Sequence, residues 1–254
     1  MIRAVIFDLG HTLFDIGPHR EALDAAYDGM RRTLTRRLGR EDLPDAVALQ
    51  LAVRDALRDA AESYFMNGTH VEQPPSWTWV DRGCRALGLE LPHELLLDVT
   101  PPLFATEVDA LICADGTLDA VRQLDSACLS LGCITNTLAD RATIRRMLRI
   151  HGFEGLMRSV VVSSEEGWRK PHVSLFQKAL RELGFAPLES IFVGDSPWHD
   201  IAGAQAAGMR AVLTRQYVAR PYRDEDLQPD AVIDHVRELP AVIAAFDGVA
   251  DGSG

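Results

Sequence analysis

Lysine is almost missing from this chain. Of its 26 basic residues only Lys170 and Lys178 are lysines, so arginine carries nearly all the positive charge and each lysine is informative. Acidic residues outnumber basic ones, 26 − 37 = −11. That balance excludes bulk nucleic-acid binding, which needs clustered positive charge to displace counterions. It leaves phosphorylated small molecules open, because one local site can reverse a global sign. Cysteine is sparse as well: Cys84, Cys113, Cys128 and Cys133 form no CxxC pair, and no histidine spacing completes a zinc set. The four read as small buried residues of a reducing compartment. No apolar run approaches the roughly 20 residues that span a bilayer. Residues 2–7 are too short for a signal segment and run straight into Asp8. A cytoplasmic protein with no membrane partner is expected. With 47% hydrophobic and 25% charged residues, the 254-residue chain is not disordered, and its length suits one large domain or two modest ones.

What is present is a series of short apolar runs, each ending in polar residues. Residues 4–7 end in Asp8, 131–134 in Thr135 and Asn136, 160–162 in Ser163 and Ser164, 191–193 in Gly194 and Asp195, and 211–213 in Thr214. Continuous apolar runs of this length predict strands buried on both faces, as in a parallel sheet. Amphipathic helices are expected over 116–125, 140–150 and 173–183, with a short one over 201–207 stopped by Gly208. This alternation predicts a doubly wound α/β core, whose ligands gather at the carboxyl ends of the strands. The polar residues at those ends are therefore expected to converge on one crevice.

Residues 16–112 differ in texture. Leu23, Tyr27, Met30, Leu34 and Leu38 recur at helical spacing over 19–38, and 45–65 reads as a second long helix. Pro74 and Pro75 interrupt the chain, and helices are expected again over 77–87 and 92–104. The organisation is thus a core of residues 1–15 and 113–254 and an all-helical cap of residues 16–112. The chain crosses between them near 15–18 and 110–115, and such a cap can close over a site as a lid.

Four motifs stand in order at the strand ends. They are Phe7-Asp8-Leu9-Gly10-His11-Thr12-Leu13, then Ile134-Thr135-Asn136, then Gly167-Trp168-Arg169-Lys170-Pro171, then Gly194-Asp195-Ser196-Pro197-Trp198-His199-Asp200. Taken singly, each residue has an ordinary reading: Asp8 as a turn residue, Asp195 and Asp200 as caps of a helix starting near Asp200, Lys170 as a solvated loop charge. Taken together the set resembles the haloacid dehalogenase (HAD) superfamily, in the branch with a helical cap inserted after the first motif.

The resemblance implies a Mg²⁺-dependent hydrolase of small phosphorylated molecules, working as a monomer or homodimer through an aspartyl-phosphate on Asp8. A carboxylate that attacks phosphorus splits one hard displacement into two easier ones. Metal ligands are implied at Asp8, the backbone carbonyl of Gly10 and Asp195, with Asp200 behind them holding water ligands or orienting Lys170. Thr135 and the Asn136 backbone N–H are implied to bind the transferring phosphoryl group, and Lys170 to neutralise its charge.

One position departs from the pattern. Most phosphatases of the family carry a second Asp two residues after the nucleophile, as general acid and base, and here that residue is Gly10. His11, His19 and His199 lie near the motifs as stand-ins. A 2-haloacid dehalogenase also lacks that Asp, but typically lacks the acid at Asp195 and needs no metal. A phosphonatase would use a cap lysine, and residues 16–112 contain none. A phospho-ligand binding or regulatory module without turnover is the remaining alternative. A response-regulator receiver is disfavoured, because it expects its Asp on a middle strand and has no such insertion. Trp77, Trp79, Trp168 and Trp198 are candidates for pocket walls or packing, and Arg31, Arg32, Arg36 and Arg37 for a solvated helix face or an anion pocket.

Overall fold

The computed structural model describes residues 1–64, 71–217 and 228–250. The first apolar run, Ala4–Phe7, forms β1 and is buried throughout. The chain then doubles back: the amides of Leu13 and Phe14 both donate to the Leu9 carbonyl, and Phe14–Ile16 form β2. Among the described residues four helices follow, α1 (Arg20–Leu38), α2 (Ala46–Tyr64), α3 (Trp77–Ala86) and α4 (His93–Asp109). The chain returns through β3 (Leu111–Cys113), which pairs antiparallel with β2, Phe14 opposite Cys113 and Ile16 opposite Leu111. The two crossings between sheet and helices are therefore one two-stranded ribbon. Gly17 extends it by donating to the Ala110 carbonyl at 2.9 Å. The Tyr217 hydroxyl ties its base, accepting from the Ala114 amide at 2.8 Å and donating to the Leu13 carbonyl at 3.2 Å.

Strand and helix then alternate: α5 (Thr117–Ser126), β4 (Ser130–Thr135), α6 (Arg141–Ile150), β5 (Met157–Val162), α7 (Ser163–Glu166), α8 (Val173–Leu183), β6 (Ser190–Gly194), α9 (Gly203–Ala206), β7 (Arg210–Thr214), β8 (Ala231–Ile233) and α10 (Leu239–Ala250). Among the described residues these build a six-stranded parallel sheet in the order β5-β4-β1-β6-β7-β8. Side chains alternate across it. Val5 and Phe7 pack with Val121 of α5, Ile144 of α6 and Ile243 of α10, whereas Ile6 packs with Phe176 of α8 and Ala204 of α9. β1 lies between β4 and β6, so Asp8 leaves the sheet flanked by Thr135 and Asp195, on the fold's two inner strands beside it.

The four inserted helices bury a core of their own, including Tyr27, Met30 and Leu34 of α1, Val53 of α2, Val80 of α3 and Val99 of α4. α1 ends at Gly39, whose φ of +64° is the left-handed conformation that favours glycine. Gly83 lets α3 lie against α2: a Cβ there would stand 2.7 Å from the Val53 nitrogen and 2.8 Å from its Cα. In an open helix, Gly→Ala stabilises by about 1 kcal/mol. Here it forces two backbones apart, so Gly83→Ala is expected to cost about 1–3 kcal/mol in denaturant unfolding. An unchanged or raised midpoint would show that the packing gives way.

Several boundaries differ from the sequence reading. α4 runs through Pro101 and Pro102 to Asp109, past Phe104, because Thr106 and Val108 continue its buried face. α2 begins at Ala46 and is described to Tyr64; Phe65, included in the expected helix, lies outside the described residues. The helix expected over 201–207 starts earlier, as a π-helical turn Pro197–Ala202 leading into α9. Cys128 is exposed rather than buried, since the chain turns there with φ +62° after α5. Cys84 and Cys133 are buried, Cys113 partly, and burial pushes the Cys133 thiol up to about 12.

Candidate active site

The Asp8 amide donates to the Val193 carbonyl at 2.9 Å, which fixes the residue where β1 meets β6. Its carboxylate is buried beside Lys170, whose Nζ stands 2.6 Å from Asp8 Oδ1 and 2.6 Å from Asp200 Oδ1. Lys170 is itself only 3% exposed. Burial alone would lower the pKa of such an ammonium, but Asp200 and Asp8 more than offset it and hold the group charged. The Lys170 backbone is gripped by the Asn136 side chain: the Lys170 amide donates to Oδ1 at 2.8 Å and Nδ2 donates to the Lys170 carbonyl at 3.2 Å.

Asp200 comes from the π-helical turn rather than from a helix start. Ser196 is the cap there, its Oγ accepting from the His199 amide, and Asp200 Oδ2 accepts from the Ser196 amide at 2.9 Å. Gly194 makes room for this, because a Cβ at that position would run into the Asp200 carboxylate. Asp8, Asp195 and Asp200 can bring carboxylate oxygens within 4.8 Å of one another. Burial, reinforced by Asp200 and Asp8, pushes the Asp195 carboxyl up to about 8. Burial also raises Asp8, to about 6, against the opposing pull of Lys170. Three acidic groups thus face one ammonium in a poorly solvated place. The donors are hard oxygens, so the cluster suits a hard divalent cation.

A cavity of about 360 Å³ opens on these groups. Asp8, Gly10, Thr135, Asn136, Lys170, Asp195 and Asp200 all line it, so the seven candidate residues meet in one place. Ser163, Ser164 and Thr214 do not, although they also end strands. Ser163 Oγ instead accepts from the Thr137 amide, and Thr214 Oγ1 from the Gln216 amide. His11 and His199 line the cavity; His19 lines a second one, of about 640 Å³, between α1, α2 and α4. His199 is partly buried, which lowers its pKa. Glu107 of α4 lines both cavities, and nothing in the sequence marked it. None of Trp77, Trp79, Trp168 and Trp198 lines either: Trp77 meets His93 edge to face, and Trp168 stacks on His172. Arg31, Arg32, Arg36 and Arg37 line neither cavity, and Arg37 pairs with Asp98 at the surface.

The parallel α/β sheet thus carries a buried carboxylate at the end of β1, a buried lysine against it and an acid pair beyond the next strand end. The family model described as haloacid dehalogenase-like hydrolase matches residues 104–214. The chain is 29% identical, over 96% of its length and 97% of the relative's, to a glyceraldehyde 3-phosphate phosphatase of Methanopyrus kandleri. It is 38% identical to a phosphoserine phosphatase of Thermus thermophilus over 44% of this chain and 43% of that one. Among solved structures, a 2-haloacid dehalogenase from Pseudomonas syringae superposes with a TM-score of 0.66 at 24% identity, covering 97% of this chain and 100% of the other. Over residues 104–214 the chain is thus similar to the haloacid dehalogenase-like hydrolases. No described helix is long and apolar enough to cross a membrane.

Proposed function

We propose that the protein is a Mg²⁺-dependent phosphohydrolase acting on small phosphate esters through an aspartyl-phosphate on Asp8. The observation that carries this reading is the buried charge imbalance, three carboxylates against one ammonium, around a carboxylate that can act as nucleophile. An Asp8 oxygen attacks phosphorus, and the bond from phosphorus to the leaving-group oxygen breaks. The leaving group departs with its electron pair and takes a proton from water. A water molecule then attacks the phosphorus of the acyl phosphate, releasing inorganic phosphate and restoring the Asp8 carboxylate.

Lys170 offsets the negative charge on Asp8 and on the phosphoryl group in flight. Thr135 and the Asn136 backbone N–H donate to phosphoryl oxygens. Asp200 orients Lys170. Mg²⁺ held by Asp8, the Gly10 carbonyl and Asp195, with Asp200 behind them, would supply the positive charge that lets one anion approach another. Residues 16–112 act as a cap over this site, and the leaving group extends past Glu107 toward the cap cavity. The names of the phosphatase relatives support a phosphate-ester substrate. The retained Asp195 favours this chemistry over a dehalogenase, which needs no metal.

The test is phosphate release with Mg²⁺ over esters graded by leaving-group pKa, beside halide release from 2-haloacids. Phosphate release that falls steeply as the leaving group becomes more basic is the expected result. Halide release with no phosphate release from any ester overturns it.

The acid cluster also makes a prediction about stability. Asp8 and Asp195 have folded pKa values raised above the ordinary carboxylate value near 3.8, to about 6 and about 8. For a raised pKa the favourable contribution is present below about pH 4 and is lost as pH rises through the folded value. The metal-free acid cluster therefore carries more uncompensated charge at pH 8 than at pH 5. Mg²⁺ is expected to raise the Tm of chelator-treated protein by several degrees more at pH 8 than at pH 5. Equal shifts at both pH values would count against a cation bound by these carboxylates.

A further inference from the structure

The cap touches the core at a second place, far along the chain from the ribbon. Residues 71–73, just before Pro74 and Pro75, lie antiparallel to the loop that carries Lys170, with Glu72 opposite Trp168. The Arg169 amide donates to the Val71 carbonyl at 2.7 Å, and the Gln73 amide donates to the Gly167 carbonyl at 2.9 Å. Gln73 is 4% exposed. Its Oε1 accepts from Arg169 Nη1 at 3.3 Å and from Ser163 Oγ at 3.3 Å, a hydroxyl that also reaches the Thr137 carbonyl at 3.1 Å. Ser163 Oγ in turn accepts from the Thr137 amide at 2.9 Å, beside Asn136. One buried amide oxygen therefore joins the two loops that supply Lys170 and Asn136. Three residues further on, Ser76 Oγ donates to the Leu138 carbonyl and fastens the same cap segment to the Asn136 loop.

We propose that Gln73 is a positioning residue for Lys170, through a strap in which residues 71–73 hold the Lys170 loop from the cap side while Asn136 holds it from the core side. The inference rests on the reading of Lys170 as the group that neutralises the transferring phosphoryl charge. Its logic is geometric. Lys170 must keep its ammonium on both Asp8 and Asp200, and a misplacement of about 1 Å in such a site costs on the order of 10²-fold in rate. Asn136 fixes the Lys170 peptide, but the preceding turn, residues 167–169, is fastened by the strap. Arg169 is largely buried, and burial pulls its pKa down to about 10, so the guanidinium has little water to satisfy it. The Gln73 oxygen gives Nη1 an acceptor there and thereby fixes the residue adjoining Lys170.

The experiment compares Gln73→Met, which keeps the volume and loses the acceptor, with Gln73→Glu, which keeps an oxygen for both donors. Each is made in the full chain. The readouts are kcat and KM for p-nitrophenyl phosphate with Mg²⁺, the Tm, and hydrogen exchange at the Lys170 amide. For Gln73→Met, kcat is expected to fall by about 10- to 100-fold with KM within about twofold. Exchange at the Lys170 amide should quicken at least about tenfold while the Tm moves only a few degrees. Gln73→Glu should recover kcat to within about threefold of the parent. If Gln73→Met does not fold, Gln73→Asn, which withdraws the same amide oxygen by one methylene, serves in its stead. Unchanged kcat and unchanged exchange overturn the inference, as does a loss that Gln73→Glu fails to recover. A parent protein that releases no phosphate overturns the phosphatase reading instead, and the strap is then decided by the exchange at Lys170 alone.

Discussion

Asp8→Asn is expected to lower Mg²⁺-dependent phosphate release by at least about 10³-fold, because it removes the atom that forms the covalent bond to phosphorus. The same change should not destabilise the metal-free protein at pH 8. It takes away a buried carboxylate whose pKa is raised to about 6, chiefly by its own desolvation, and leaves Lys170 paired with Asp200 at 2.6 Å. Loss of activity with a Tm equal to or above the parent separates a chemical role from a structural one. Retained phosphate release in Asp8→Asn would transfer the nucleophile to another group and end the proposed mechanism. The measurements are phosphate release at saturating substrate and thermal unfolding in the presence of chelator.

Gly10→Asp is the complementary case, a gain. A Cβ built on Gly10 meets no heavy atom within 4 Å, and the cavity wall there belongs to the same pocket as Asp8. The position can thus accept a Cβ without displacing a neighbour. A general acid at that point protonates the leaving oxygen as it departs, which is typically worth about 10²–10⁴-fold for a poor leaving group. Turnover of alkyl phosphates is expected to rise toward that range, with little change for aryl phosphates, whose leaving groups need no proton. The dependence of log kcat on leaving-group pKa should flatten accordingly. No gain on any alkyl phosphate, in a variant that folds and binds Mg²⁺, would count against a site limited by protonation.

Much of the site was readable because the fold couples position to local pattern. Asp8, Thr135 and Asp195 each follow a run that is apolar on both faces, the pattern of an inner parallel strand whose end opens toward a ligand. Lys170 was conspicuous as one of two lysines. What escaped the sequence depends on partners distant along the chain or on elements too short to show a period. β2 and β3 are three residues each, so alternation has no room to appear, and the sequence marks the crossings only by their position. The acceptor role of Gln73 spans 90 residues to Ser163 and 96 to Arg169. The Asn136 backbone was singled out, yet its side chain has the clearer task, the grip on Lys170. The π-helical turn was hidden as well, because nothing in the order Pro197–Ala202 sets it apart from an α-helical start, and only the Ile201 amide donating to the Ser196 carbonyl reveals the wider turn.

The ribbon of β2 and β3 makes the boundary between the two halves of the molecule a junction of fixed register. Phe14 lies against Cys113 and Ile16 against Leu111, while the Tyr217 hydroxyl bonds to both chains at the base. A single residue inserted in one crossing would turn every following side chain of that strand to the opposite face and pull one of the two Tyr217 contacts out of reach. Inserted segments of other lengths and sequences can therefore be exchanged at this point only as whole units cut at matched positions on both strands. A recombinant that joins a foreign helical segment at Ile16 and Leu111 preserves the pairing; one cut a residue out of step on a single strand does not.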